Sequence, residues 1–344
     1  MSERNATVAA APGRDFGEVI VRLRPHLNEL DEFLRSQLGA FEPDIRHMVA
    51  YCLDASGKRI RPALVFFSGW RGSEQIDPAL VRLAAVVETV HLATLVHDDI
   101  MDGAEMRRNL PTVARRFGSD AAVLLGDALL AHAVHLAAQF PSTEVCWEIS
   151  HAVRRVCAGE IAQTLHRGDP NISLLDYRRI IDLKTAELFH VSCLLGSRLA
   201  GFKEAYVEAA ATFGRRLGIA YQIYDDLVDF FGVEKRVGKT LGTDLAGGKV
   251  TLPILVLLER LPPVERKELM GEIHEHQPPQ FRRRITQMSC HGVFAAVADA
   301  IYGELTAAGK ALGPWSKLES AQLLAQFSDL LRDQVDVLRT GTGN

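Results

Sequence analysis

Two acidic clusters in this sequence could do chemistry that isolated carboxylates could not. Residues 98–102 read Asp-Asp-Ile-Met-Asp and residues 225–229 read Asp-Asp-Leu-Val-Asp, each closing an apolar run, Ala84–Val96 and Leu217–Tyr224. On a helix, positions i and i+4 share a face about 6 Å apart along the axis. Asp98 then stands with Asp102, and Asp225 with Asp229. Carboxylates so placed repel by roughly a few tenths of a kcal/mol even when exposed, and by more beside an apolar run unless a cation lies between them. A hard ion suits them, and Mg²⁺ in particular binds one or two carboxylates plus substrate phosphates. Either triplet alone reads as readily as a solvated helix end, since charge clusters are usually at the surface. The same pattern on two buried helices argues against that and predicts two acidic faces opposed across a cavity, chelating ions that hold a polyphosphate.

A diphosphate also needs cations, and they recur near both clusters. Gly57-Lys58-Arg59-Ile60-Arg61-Pro62 places Lys58 and Arg61 at a predicted helix start, where free N–H groups and the macrodipole favour anions. Arg107 and Arg108 follow the first cluster, and arginine suits bidentate phosphate contacts. Lys184 and Thr185 interrupt an apolar helix, where an unpaired lysine is costly. Lys239 and Lys249 lie downstream of the second cluster. Taken singly each could be a surface cation or half of an ion pair, Lys58 with Asp54 and Lys184 with Glu187 for example. The glycine-rich loop near Gly238 follows a helix and lacks Walker spacing, so it is weak evidence by itself.

The elements that must position these residues are helices. Apolar residues recur at three-and-four spacing almost throughout, with no convincing period-two run. Segments 78–102, 119–138, 173–197 and 203–231 read as long helices, several apolar on most faces and so destined for a bundle interior. Breaks are short, which favours antiparallel neighbours. The expected fold is all-α: a single large antiparallel helical bundle around a central cavity, spanning 16–338. Residues 1–15 are expected to be a disordered tail, and 339–344 a short C-terminal tail. The 344 residues are 47% apolar and 24% charged, with net charge −4, which gives no global basic field for nucleic acid. Cys52, Cys146, Cys157, Cys193 and Cys290 are scattered and odd in number, as expected of reduced thiols in a cytoplasmic protein. No apolar run approaches the ~20 residues of a membrane span, and the N-terminus lacks signal-peptide character.

In these motifs the chain resembles the trans-isoprenyl (polyprenyl) diphosphate synthase family of the long-chain type, over about residues 16–338. The carrying segments are GKRIRP at 57–62, VHDDIMD at 96–102 with RR at 107–108, KT at 184–185, YQIYDDLVD at 221–229, and GKTLGTDLAGGKVTLP at 238–253. The resemblance implies Mg²⁺-dependent condensation of isopentenyl diphosphate with an allylic diphosphate, farnesyl or geranylgeranyl, to a long all-trans product. It implies that Lys58, Arg61, His91 and Arg108 grip isopentenyl diphosphate. Arg107, Lys184, Thr185, Gln222, Lys239 and Lys249 would hold the allylic diphosphate. Asp98, Asp102 and Asp225 would bind metal, with Asp99, Asp226 and Asp229 completing the acidic machinery around three Mg²⁺ ions. A homodimer is implied too, with transient membrane contact to release a long product. Asn109 stands where the family often has glycine, and Asn tolerates left-handed backbone. Ser56 replaces a frequent first glycine, and the C-terminus lacks the basic ending of some members.

On this reading the cations, aided by metal, neutralise charge developing on the leaving diphosphate as the allylic C–O bond ionises. An apolar, water-excluding pocket protects the allylic cation, the isopentenyl double bond attacks it, and a proton is lost to the departing diphosphate. In the family, bulky aromatics one turn below the first cluster mark short products. Here that level holds Ala93 and Thr94, with Val90 and Val86 deeper, so products beyond twenty carbons are expected unless a residue around Leu125 to His132 plugs the floor. The alternative within the class is a farnesyl or geranylgeranyl diphosphate synthase. A helical metal phosphohydrolase, suggested by His97-Asp98, would need further His ligands. A non-catalytic partner subunit should have eroded acidic clusters, and a terpene cyclase has no use for GKRIRP.

Overall fold

The computed structural model describes residues 16–54, 57–72, 76–233, 241–274 and 280–341, with side chains from residue 21 onward. Helices α1 (Phe16–Ser36), α2 (Arg46–Asp54), α3 (Ile60–Ser68) and α4 (Pro78–Met101) form the first half of the bundle, followed by α5 (Val113–Phe117), α6 (Ser119–Ala138) and α7 (Glu144–Leu165). Then come α8 (Leu174–Ile181), α9 (Glu187–Leu199) and α10 (Glu204–Phe231), and beyond them α11 (Thr243–Ala246), α12 (Leu252–Arg260), α13 (Pro263–His274), α14 (Phe281–Cys290), α15 (Val293–Leu312) and α16 (Glu319–Gly341). The last of these carries helix into the segment expected to be a tail.

Helix α4 begins where Asp77 caps it, the carboxylate accepting from Ala79 N at 2.8 Å with Pro78 in the first turn, an arrangement favoured at helix starts. Its residues Leu83, Ala84, Val86, Val87 and Val90 are wholly buried, against α3, α6, α9 and α1. Helix α10 is the second axis and packs on α9 and α15. The two acidic clusters therefore lie at the ends of two long helices whose apolar residues are largely buried.

The structure refines the sequence expectations at three places. The helix expected over 173–197 is interrupted, because Asp182–Ala186 forms a wide π-helical turn between α8 and α9. A short hairpin is present, Met106–Arg107 pairing antiparallel with Leu110–Pro111; two residues per strand are too few to show alternation. Helices α4 and α6 are each long and apolar enough to cross a bilayer by length and composition. Neighbours bury 72% of the apolar window of α4 but only 39% of that of α6.

Candidate active site

The loop entering α3 is held in an uncommon conformation. Arg59 has φ +51°, a left-handed geometry that costs a non-glycine residue energy. Its guanidinium is fixed by the buried Glu88 at 2.8 Å and by Asp31 at 2.9 Å. The hairpin turn is left-handed at both central residues, Arg108 (φ +51°) and Asn109 (φ +62°), as a two-residue hairpin requires; Asn109 thus does the work of the family glycine. A methyl group on Gly57 would overlap the Arg108 guanidinium, so the hairpin arginine lies directly on the GKRIRP loop.

These elements surround His91 with cations. Arg61 is half-buried, its guanidinium 5.0 Å from the centre of the Phe189 ring, and its Nε has no hydrogen-bond partner among the described residues. The His91 pKa lies well below the ordinary imidazole value, chiefly through burial and then through the charges of Arg61, Arg108, Arg107 and Arg59. Burial also pulls Arg61 down, against the charge of Glu88. Arg59 and Arg107 have carboxylate partners in Glu88, Asp31 and Asp99, and the larger charge effects on His91 are those of Arg61 and Arg108, a positive field that suits an anion. Lys58 is exposed at the mouth of this region, and Asp54, its suggested partner, pairs with Arg35 at 2.9 Å.

At the end of α4 the three carboxylates of the first cluster have different partners. Asp99 is buried and accepts from Arg107 in a forked contact, Nη2 at 2.7 Å and Nε at 2.9 Å. Asp102 pairs with Lys249 at 2.7 Å and with Arg167. Asp98 lies 3.7 Å from Lys184, whose ammonium also pairs with Glu160. Burial, with Glu160 and Asp102 nearby, pushes the Asp98 pKa up to about 6 despite Lys184. Burial works the same way on Asp102, but the charge and hydrogen bond of Lys249 outweigh it and hold that carboxyl below its usual range.

The second cluster is built differently, and the expected symmetry is corrected here. Asp225 is half-buried. Asp226 is buried and accepts from the Tyr177 hydroxyl at 2.6 Å and from Gln222 Nε2 at 2.8 Å. Burial and the charge of Asp244 raise its pKa well above the ordinary value. Asp229 has no exposure and accepts from Thr243 Oγ1 and from the Asp244 N–H, both at 3.1 Å. Helical spacing puts Asp225 and Asp229 on one side, but the downstream chain folds back over Asp229. Thr185 Oγ1 donates to Gln222 Oε1 at 2.6 Å, linking the wide turn through Gln222 to Asp226. A cleft of about 40 Å³ is lined by Gln163, Lys184, Thr185, Gln222, Asp226 and Lys249. A larger recess, about 180 Å³, lies behind the GKRIRP loop, where Arg35 and Arg59 pair with its own Asp54 and Asp31.

Among the described residues no three His, Cys, Asp or Glu side chains converge into a cage for an ion. A Mg²⁺ site need not be such a cage, because the ion takes few protein carboxylates and completes its shell with water and phosphate oxygens; Asp98 and Asp102, at the end of α4, would be carboxylates to hold it. His97 Nε2 lies 3.1 Å from the Val123 carbonyl and 3.5 Å from Asp127, so the ring is turned toward α6, and among the described residues it joins no cluster of the further ligands that a phosphohydrolase would need. Glu160 and Arg167 were missed from the sequence. The available signal was Glu160 set among small residues, Ala158-Gly159-Glu160-Ile161-Ala162, where a charge must find a partner. Lys239 and Ser56 lie outside the described residues.

Residues 42–288 match the family described as polyprenyl synthetase. Octaprenyl diphosphate synthase of Haemophilus influenzae is 36% identical over 235 residues, which is 67% of this chain and 70% of that protein. Among solved structures, decaprenyl diphosphate synthase of Rhodobacter capsulatus aligns with a TM-score of 0.85 at 28% identity, covering 93% of this chain and 99% of that one. A polyprenyl synthase of Caulobacter crescentus, complexed with calcium and isoprenyl diphosphate, also gives 0.85, at 27% identity over 94% and 99% of the two chains.

Proposed function

The chain belongs to the polyprenyl synthetase family, and from that membership we propose that it is a cytoplasmic long-chain prenyltransferase. It would condense isopentenyl diphosphate with an allylic diphosphate and release diphosphate and a longer all-trans product. The observation that carries this reading is the pairing of two opposite charge environments. Four arginines surround neutral His91 on one side, and Asp98 and Asp102 are interleaved with Lys184, Lys249 and Arg167 on the other. A site for one diphosphate has no use for both.

Arg61, Arg108 and Lys58 would anchor isopentenyl diphosphate, with His91 donating or accepting as a neutral ring. Arg107, fixed on Asp99, contributes positive field from behind. Lys184 and Lys249 now neutralise Asp98 and Asp102; on the allylic side they would turn to the diphosphate and stabilise the charge that develops as it leaves. Mg²⁺ held by Asp98, Asp102 and Asp225, three ions on this reading, would supply further neutralisation of that leaving group. Thr185 and Gln222 would position the reacting end, and the isopentenyl double bond would attack the allylic carbon and lose a proton to the released diphosphate.

Product length is tested by incubating the protein with Mg²⁺, isopentenyl diphosphate and farnesyl diphosphate and sizing the dephosphorylated alcohols. Chains of thirty carbons or more are expected, since Ala93 and Thr94 are small. Products ending at twenty carbons would refute the length argument and leave the reaction class standing. No elongation from any allylic starter would refute the reaction class.

A homodimer accords with the outer face of α6 and α7. Leu124 is 67% exposed, Trp147 61%, Ile161 60% and Leu165 79%. Trp147 and Ile161 are fourteen residues apart, so they lie on the same face of α7. Light scattering should give twice the chain mass for the wild type and the chain mass for Ile161→Glu/Leu165→Glu. A monomeric wild type, or a double variant that stays dimeric, would contradict this.

A further inference from the structure

The wide turn between α8 and α9 carries Lys184 and Thr185, and an uncommon set of contacts surrounds it. A π turn is rare and is held only where its surroundings favour it over regular helix. The two helices that flank it each present a glycine. A Cβ on Gly159 of α7 would stand 2.6 Å from Lys184 N and 2.8 Å from Leu183 Cβ; one on Gly218 of α10 would stand 2.6 Å from Ala186 Cα. Any side chain at either position would press on the turn backbone.

Each flanking helix also presents an arginine one turn earlier. Arg155 Nε donates to Glu187 Oε2 at 2.7 Å and its Nη2 to Asp182 Oδ2 at 3.3 Å. Arg215 Nη1 donates to Asp182 Oδ2 at 2.9 Å and its Nη2 to Glu187 Oε2 at 3.0 Å. Asp182 and Glu187 bracket the turn. In a regular α-helix residues five apart point about 140° away from each other, so one guanidinium would not reach both. In the widened turn the two carboxylates come to the same side, and both arginines fork across them. The charge cage therefore favours the π geometry specifically, over the α-helix that the same residues could otherwise form.

We propose that Arg155 and Arg215, with Gly159 and Gly218, are positioning residues that hold this turn open and so aim Lys184 and Thr185 at the allylic diphosphate. None of the four needs to touch substrate. The proposal rests on the prenyltransferase reading for the identity of the ligand, but the turn can be tested with a simpler anion.

The deciding variant is Arg155→Met/Asp182→Asn/Glu187→Gln/Arg215→Met, which removes the cage and leaves none of its charges unpaired. Calorimetry with inorganic diphosphate and Mg²⁺ should show binding weakened roughly 10- to 100-fold, the range for groups that orient ligands from behind. Where the wild type elongates, kcat should fall by a similar factor while KM for isopentenyl diphosphate stays within about twofold, because Arg61, His91 and Arg108 lie on other elements. A folded variant with wild-type diphosphate binding, or one whose two substrates suffer equally, would overturn the proposal. If the quadruple variant does not fold, Gly159→Ala with the cage intact decides: the same split is expected, and its absence overturns the proposal. A wild type that binds diphosphate but does not elongate would refute the prenyltransferase reading and leave the cage test intact.

Discussion

Asp98→Ala is expected to lower turnover by on the order of 10³-fold, the loss of one preorganised contact to a developing charge compounded by loss of a metal carboxylate. Its position explains the size of the effect. It ends α4, sits within reach of Lys184 at 3.7 Å, and is kept from solvent enough to raise its pKa to about 6. The same environment predicts a second outcome. The carboxylate is disfavoured by burial and by Glu160 and Asp102 and favoured by Lys184, which keeps Glu160 as a partner, so the metal-free variant should melt close to the wild type. A stability–activity trade of this kind separates a functional residue from a structural one. Steady-state kinetics at saturating Mg²⁺, with a thermal melt of the metal-free protein, measures both. Turnover within tenfold of wild type would remove Asp98 from the metal site, and a large drop in melting temperature would make its role structural.

The largest stability effect is expected far from the acidic clusters, at Glu272→Ala. Arg284 is 1% exposed, donates through Nε to Glu272 at 3.0 Å and through Nη1 to Gln287 at 2.8 Å. The second oxygen of Glu272 accepts from the Gln280 N–H at 2.9 Å. Truncating Glu272 leaves a buried guanidinium without its counter-charge, which costs roughly 3–5 kcal/mol. Glu272→Met/Arg284→Met removes both charges and should lose much less, because desolvation of the pair offsets most of its attraction. Urea unfolding of the wild type and both variants gives the comparison directly. A single variant no less stable than the double would mean that Arg284 finds another partner.

Arg284 also shows the limits of sequence reading. In Phe281-Arg282-Arg283-Arg284-Ile285 nothing distinguishes the buried arginine from its two neighbours, and the whole stretch 261–290 is comparatively polar and rich in Pro and charge. Its burial depends on Glu272, supplied by a different helix, so no local pattern could reveal it. The opposite holds for α4 and α10, whose ends lie within a residue or two of expectation because apolar periodicity is a local signal.

The candidate site divides along the same line. From the sequence alone came the helical bundle, the two acidic clusters with their i, i+4 spacing, and the basic segments around them, because each is a matter of residue types at short range. The tertiary structure alone decided which carboxylate faces which partner. Lys249 meets Asp102 across 147 positions of sequence, Tyr177 reaches Asp226 across 49, and Asp229 is covered by the chain that returns at Thr243. The wide turn at Lys184 is likewise a product of Arg155, Gly159, Arg215 and Gly218 on other helices. Spacing along one helix sets the direction of a side chain, whereas burial and electrostatics come from residues distant in sequence that only folding brings within a few ångströms.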